Sequence, residues 1–111
     1  MNSRDIYVIQ GTDYRQMTME LLRACDLAGD IGDRDKRIGL KPNLVADSPA
    51  SRGATTHPEL ADGILTYLKE NGFENLVVLE GSWVGANTME AARVNGILEV
   101  CRRHQVEFLD L

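Results

Sequence analysis

The chain has 111 residues, 43% hydrophobic and 26% charged, a composition that fits one globular domain and excludes a disordered or fibrous chain. The 12 Lys and Arg stand against 17 Asp and Glu, a formal charge of −5, so no overall basic field exists for nucleic-acid phosphates or anionic lipid. No apolar run approaches the roughly 20 residues that cross a bilayer, and the start MNSRDIYVIQGTD lacks an apolar stretch before a cleavage site, so no membrane association and a cytoplasmic location are expected.

Residues 5–10 (DIYVIQ) form a β-branched and aromatic run ended by Gly11, which predicts a first strand. Over residues 14–28 the period changes: Met17, Leu21, Ala24, Cys25 and Ala28 fall on one helical stripe, with Asp13 as N-cap and Gly29 as the stop. The polar stretch GDIGDRDK then leads to a short second strand, residues 37–41, ahead of Pro42. Residues 42–56 show no periodicity and carry two Pro, one Gly and several Ser and Thr, the pattern of a long, functional loop.

A helix restarts at Thr56-His57-Pro58-Glu59. Thr56 as N-cap makes a capping box with Glu59, whereas His57 as N-cap puts Pro58 at the favoured first position. Leu60, Ala61, Ile64 and Leu68 supply its stripe, and Asn71-Gly72 its stop. The run NLVVLE, residues 75–80, is apolar without alternation, which predicts a strand covered on both faces. After the loop GSWVGAN, Asn87 caps a last helix through Arg103, and residues 106–109 predict a fourth strand. The expected fold is therefore α/β, a three-layer βαβαβαβ arrangement over residues 1–111, with a mainly parallel four-stranded sheet and helices on both faces. Because the last strand would normally lead into another helix, the chain also reads as a fragment of a longer domain.

In such sheets ligands bind beyond the carboxyl ends of the strands, which gathers Lys41 and Asn43, Glu80 and Ser82, and Trp83 at one mouth. Lys41 reads either as a cation for a ligand or as the ion-pair partner of Glu80. The helix start at Thr55, Thr56 and His57 offers backbone N–H groups and the positive dipole end to an anion, with Arg52 nearby, although capping alone also explains those residues. His57 has the pKa range of an acid, base or ligand, but no metal-type spacing surrounds it. His104 reads as an exposed residue in a last helical turn, favoured by the dipole. Ser82 lacks the first glycine of a G-x-S-x-G nucleophile turn, and neither G-x-x-x-x-G-K-[ST] nor G-x-G-x-x-G is present. Asp30, Asp33 and Asp35 lack the oxygen ladder of a calcium loop, so no metal site is predicted. Cys25 and Cys101 sit in apolar helical stretches and read as buried, reduced thiols.

Lys41-Pro42-Asn43-Leu44-Val45, Gly53-Ala54-Thr55-Thr56-His57-Pro58-Glu59, Asn71-Gly72-Phe73 and the strand end Glu80-Gly81-Ser82 together resemble the family called domain of unknown function 362. The resemblance runs from about Ile6 to Asp110. It implies that Lys41, Asn43, Thr55, Thr56, His57 and Glu59 belong to the family's defining surface. Some family members are joined to ferredoxin-type iron–sulfur segments; this chain has only two Cys and no cluster motif, so no such cofactor is carried onto it. The resemblance supplies no activity.

Two functional expectations follow. The first is a domain binding a small phosphate- or carboxylate-bearing ligand at Lys41, Asn43, Thr55, Thr56, His57, Glu80 and Ser82. The second is a structural or partner-binding module, or a fragment of an iron–sulfur-associated redox protein, with a homodimer or open edge at residues 106–109. Whether the chain is an enzyme, and with which cofactor, is left open.

Overall fold

The computed structural model describes residues 2–44, 48–81 and 87–111. Asp13 opens helix α1 (Tyr14–Cys25), its side chain accepting a 3.0 Å hydrogen bond from the Gln16 N–H. α1 stops before the expected Ala28 because Asp26 takes a left-handed backbone, φ 52°, and then caps the short α2 (Leu27–Ile31) through the Gly29 N–H at 3.2 Å. Gly29 is thus needed inside a turn rather than as a stop: a Cβ there would lie 2.2 Å from the Asp26 carboxylate. Arg34 ties the following turn to the next helix, stacking 4.6 Å above the Phe73 ring and donating to the Asn71 carbonyl at 2.9 Å.

Strand β1 (Ile38–Leu40), helix α3 (Pro58–Glu70), strand β2 (Leu76–Glu80), helices α4 (Thr88–Asn95) and α5 (Ile97–His104), and strand β3 (Glu107–Asp110) follow. One 3-10 turn, Ala50–Arg52, lies in the long loop between β1 and α3. The last helix, expected to be continuous, is broken at Gly96, whose φ of 100° ends α4 and starts α5.

All three strands are parallel, in the order β1-β2-β3, with Leu40, Val78 and Phe108 in register. Among the described residues the sheet therefore has three strands rather than the expected four. Residues 5–10 pair with nothing among the described residues, and Ile6 and Val8 are 88% and 79% exposed. β-propensity reflects fit to a neighbouring strand and a face to cover, and this segment has neither.

The expectation of helices on both faces is also corrected. Ile38, Leu40, Leu76, Val78 and Phe108 share one face and join a single apolar cluster to which every helix contributes, including Leu22, Ala28, Leu65, Ala92 and Ile97. When consecutive strands lie side by side in sequence order, crossovers of one hand put α3 and α5 on the same side. The opposite face carries Gly39, Val77, Leu79 and Leu109, and an ion pair of 3.8 Å links Arg37, just before β1, to Glu107 of β3. No helix among the described residues is long and apolar enough to cross a membrane.

Candidate functional site

The strand sequence LVVLE ends on a carboxylate, and the fold buries it: Glu80 is only 2% exposed. A buried charge needs partners. Glu80 Oε1 takes a 2.8 Å ion pair from Lys41 Nζ and a 2.9 Å hydrogen bond from the Gly81 N–H, while Oε2 accepts from the Leu44 N–H at 3.0 Å. Burial pushes the Glu80 pKa up, but the bonds from Lys41, Leu44 and Gly81 together outweigh it and hold the carboxyl below its ordinary value. Glu80 is therefore an anion at neutral pH that pins the turn after β1 to the end of β2.

The Lys-Pro-Asn turn is joined in the same way to the start of α3. The Asn43 N–H donates to Thr56 Oγ1 at 2.8 Å, the Thr56 N–H donates to the Asn43 carbonyl at 2.9 Å, and Asn43 Nδ2 donates to the Ala54 carbonyl at 3.2 Å. Thr56 is thereby occupied, and the capping box with Glu59 does not form. His57 is the N-cap, with Pro58 at the first helical position and no side-chain capping bond. Its ring lies 4.6 Å from that of Tyr14, tilted by 54°, and Nδ1 is 4.0 Å from Glu59.

Thr55 is buried, and its hydroxyl accepts from Asn95 Nδ2 at 3.1 Å while donating to the Ser48 carbonyl at 3.4 Å. Asn95 Nδ2 also donates to the Thr56 carbonyl at 2.8 Å. Asn95 was not recognisable as a site residue, because it is a single polar residue beside an alanine-rich helical stripe, and its partners are some 40 positions away. Thus Lys41, Asn43, Thr55, Thr56 and Glu80 are joined at the carboxyl edge of the sheet, with His57 next to them in the chain. Arg52 sits on the 3-10 turn. Ser82 and Trp83 lie outside the described residues.

A second polar cluster was missed altogether. His104 is not an exposed helix-end residue: its side chain is 15% exposed, and Nε2 lies 2.6 Å from Asp62 Oδ1. Arg15 and Arg103 reach Asp62 Oδ2 at 3.2 and 3.5 Å, so one carboxylate joins α1, α3 and α5. Burial raises the Asp62 pKa, but the His104 hydrogen bond and the two guanidinium charges lower it further, leaving it below the ordinary value. A cavity of about 150 Å³ between α3 and α5 touches this cluster at Asp62 and Arg103. Both cysteines are free and buried, and burial pushes the Cys101 thiol up to about 11. Among the described residues no group of three or more His, Cys, Asp or Glu could hold a metal ion.

Residues 38–111 match a family model described as Domain of unknown function (DUF362). The chain belongs to that family. The DUF362 match begins at Ile38 rather than near Ile6, so it spans β1 through β3 and every bonded member of the site, and leaves α1, α2 and residues 5–10 outside. No curated protein and no solved structure matches the chain.

Proposed function

We propose that the carboxyl edge of the sheet in this DUF362 chain binds a small anionic ligand bearing a phosphate or carboxylate group. Lys41 is its cationic contact, and the amino end of α3 at His57 is its dipolar one. The observation that carries this reading is the Lys41–Glu80 pair: a buried carboxylate holds the ammonium at the rim, while the lysine side chain is still 61% exposed. An ammonium has three donors, and Glu80 uses one. The backbone N–H of Thr56 is spent on Asn43 and that of Leu60 on the His57 carbonyl, and Pro58 has none, so the donors this helix end offers are the N–H groups of His57 and Glu59. Asn43, Thr55, Thr56 and Glu80 act as the frame of the site.

The test is thermal melting in excess inorganic phosphate, sulfate or citrate, followed by a panel of phosphorylated and carboxylated metabolites. A rise in Tm that disappears in Lys41→Ala supports the reading. No rise with any compound, or the same rise in Lys41→Ala, overturns it. A second reading, a partner-binding module without catalysis of its own, is favoured by the exposed apolar side chains of Ile6 and Val8.

A further inference from the structure

We infer that the free edge of β1 takes residues 5–10 of a second copy of this chain as an added strand. The inference is independent of anion binding and starts from two unsatisfied features of the same molecule. Among the described residues β1 pairs with β2 on one side only. The Ile38 N–H donates to the Asn75 carbonyl at 2.9 Å, on the β2 side, so the intervening Gly39 presents its N–H and C=O to the open side. Gly39 is exposed, and the edge carries no proline to block pairing. The other feature is the segment DIYVIQ itself, which is rich in strand-forming residues, lacks proline, and leaves Ile6 and Val8 almost wholly in water.

The two features fit residue by residue. With Tyr7 opposite Gly39, Ile6 and Val8 stand opposite Ile38 and Leu40 whichever way the added strand runs, on the face where the apolar cluster leaves those two only partly buried. Asp5 then falls opposite Arg37 in the parallel direction and opposite Lys41 in the antiparallel one. Opposite charges meet in either case.

The competing pairings are opposed by charge. At the β3 edge Glu107 and Asp110 have the same sign as Asp5. Antiparallel self-pairing brings Arg37 against Lys41 at one edge, or Glu107 against Asp110 at the other, and like charges directly opposite each other are unfavourable. The occupant is a second copy because the segment leaves this edge free in its own chain. Reciprocal exchange of one segment between two copies also closes with two-fold symmetry and leaves no growing end.

The experiment uses the full chain in two forms. Tyr7→Cys and Gly39→Cys proteins are mixed under oxidising conditions; the native thiols are buried, and the Cβ added at Gly39 meets the flexible end of Leu79 at 3.1 Å and touches Val77 Cγ1 at an ordinary 3.9 Å. A disulfide-linked pair containing one of each chain is expected. In parallel, light scattering of the unsubstituted chain should show a doubling of mass as concentration rises. The doubling should be lost in Ile6→Asp/Val8→Asp with the far-UV circular dichroism of its helices unchanged. A strict monomer at every concentration overturns the inference, as does a dimer that survives Ile6→Asp/Val8→Asp. Closure of a Tyr7→Cys/Gly39→Cys double variant on itself at monomer mass also overturns it, by placing the segment on its own sheet.

Discussion

Lys41 and Glu80 meet at 2.8 Å with opposite exposures, the lysine side chain 61% open to solvent and the carboxylate 3%. That asymmetry predicts unequal consequences for removing each partner. Glu80→Ala strands the Leu44 and Gly81 N–H groups and should lower unfolding free energy by about 2–4 kcal/mol. Lys41→Ala removes a largely hydrated cation but leaves the buried carboxylate only its Leu44 and Gly81 N–H bonds, and should cost less, about 1–2 kcal/mol. Urea unfolding of both variants checks the ranking; equal losses would mean that Glu80 does not organise the mouth.

Glu80 and Asp62 are the buried carboxylates that contribute to the acid limb of stability. Both carboxyls lie below their ordinary values of 4.5 and 3.8 in the folded chain. A depressed folded pKa contributes stability above the unfolded value, and the contribution is lost as pH falls through the folded one. Stability should therefore be level through neutral pH and decline below about pH 4.5. Glu80→Gln should flatten the upper part of that decline. A decline that begins near neutrality would point to other groups.

Asp62 holds Arg15, Arg103 and His104 around a single carboxylate in the helix layer. Asp62→Ala leaves two cations and an imidazole without their shared acceptor, and a loss of about 3 kcal/mol is expected in chemical denaturation. His104→Ala removes only one of the three and should cost less. A larger loss for His104→Ala would show that the imidazole, not the carboxylate, holds α5 in place.

Gly63 lies where α1 crosses α3, and a Cβ there would be 2.8 Å from the Arg15 carbonyl and 3.0 Å from Thr18 Cβ. Helix propensity alone favours Ala over Gly by about 1 kcal/mol, but pushing α1 away should reverse the sign to a net loss of about 1–3 kcal/mol. The sign of the change in Tm decides between propensity and packing.

Cys101 is buried with its thiol pushed up to about 11, and Cys25 is buried as well. A thiol reagent at neutral pH should modify neither residue in the native chain and both after denaturation. Rapid native modification would show that α5 opens readily.

The elements legible in the sequence are those with local causes. Asp13 with Gln16 and Asn87 with Glu90 form the caps their three-residue spacing implies, and the stripe of α3 marks a helix that packs, whereas α1 buries Thr18, Met19 and Cys25 and leaves Ala24 of its expected stripe exposed. The Lys41–Glu80 pair, one of the two roles open to Lys41, and the parallel strand ends were legible from motif position, because chain order places strand ends together, whereas the Asn43–Thr56 joint replaces the capping box expected of Thr56. Asn95 and the Asp62–His104 contact were not, since each depends on a partner about 40 residues away, with no spacing to signal it.

By itself the sequence determined where helices start, which residues are apolar on each turn, and that the class is α/β, because caps and periodicity act within one or two turns of chain. Only the tertiary structure decided that residues 5–10 stay unpaired, that the helices share one face of the sheet, and that His104 turns inward to Asp62. Those outcomes depend on which distant surfaces meet, and a strand or a charge has no settled role until its neighbour across space is present.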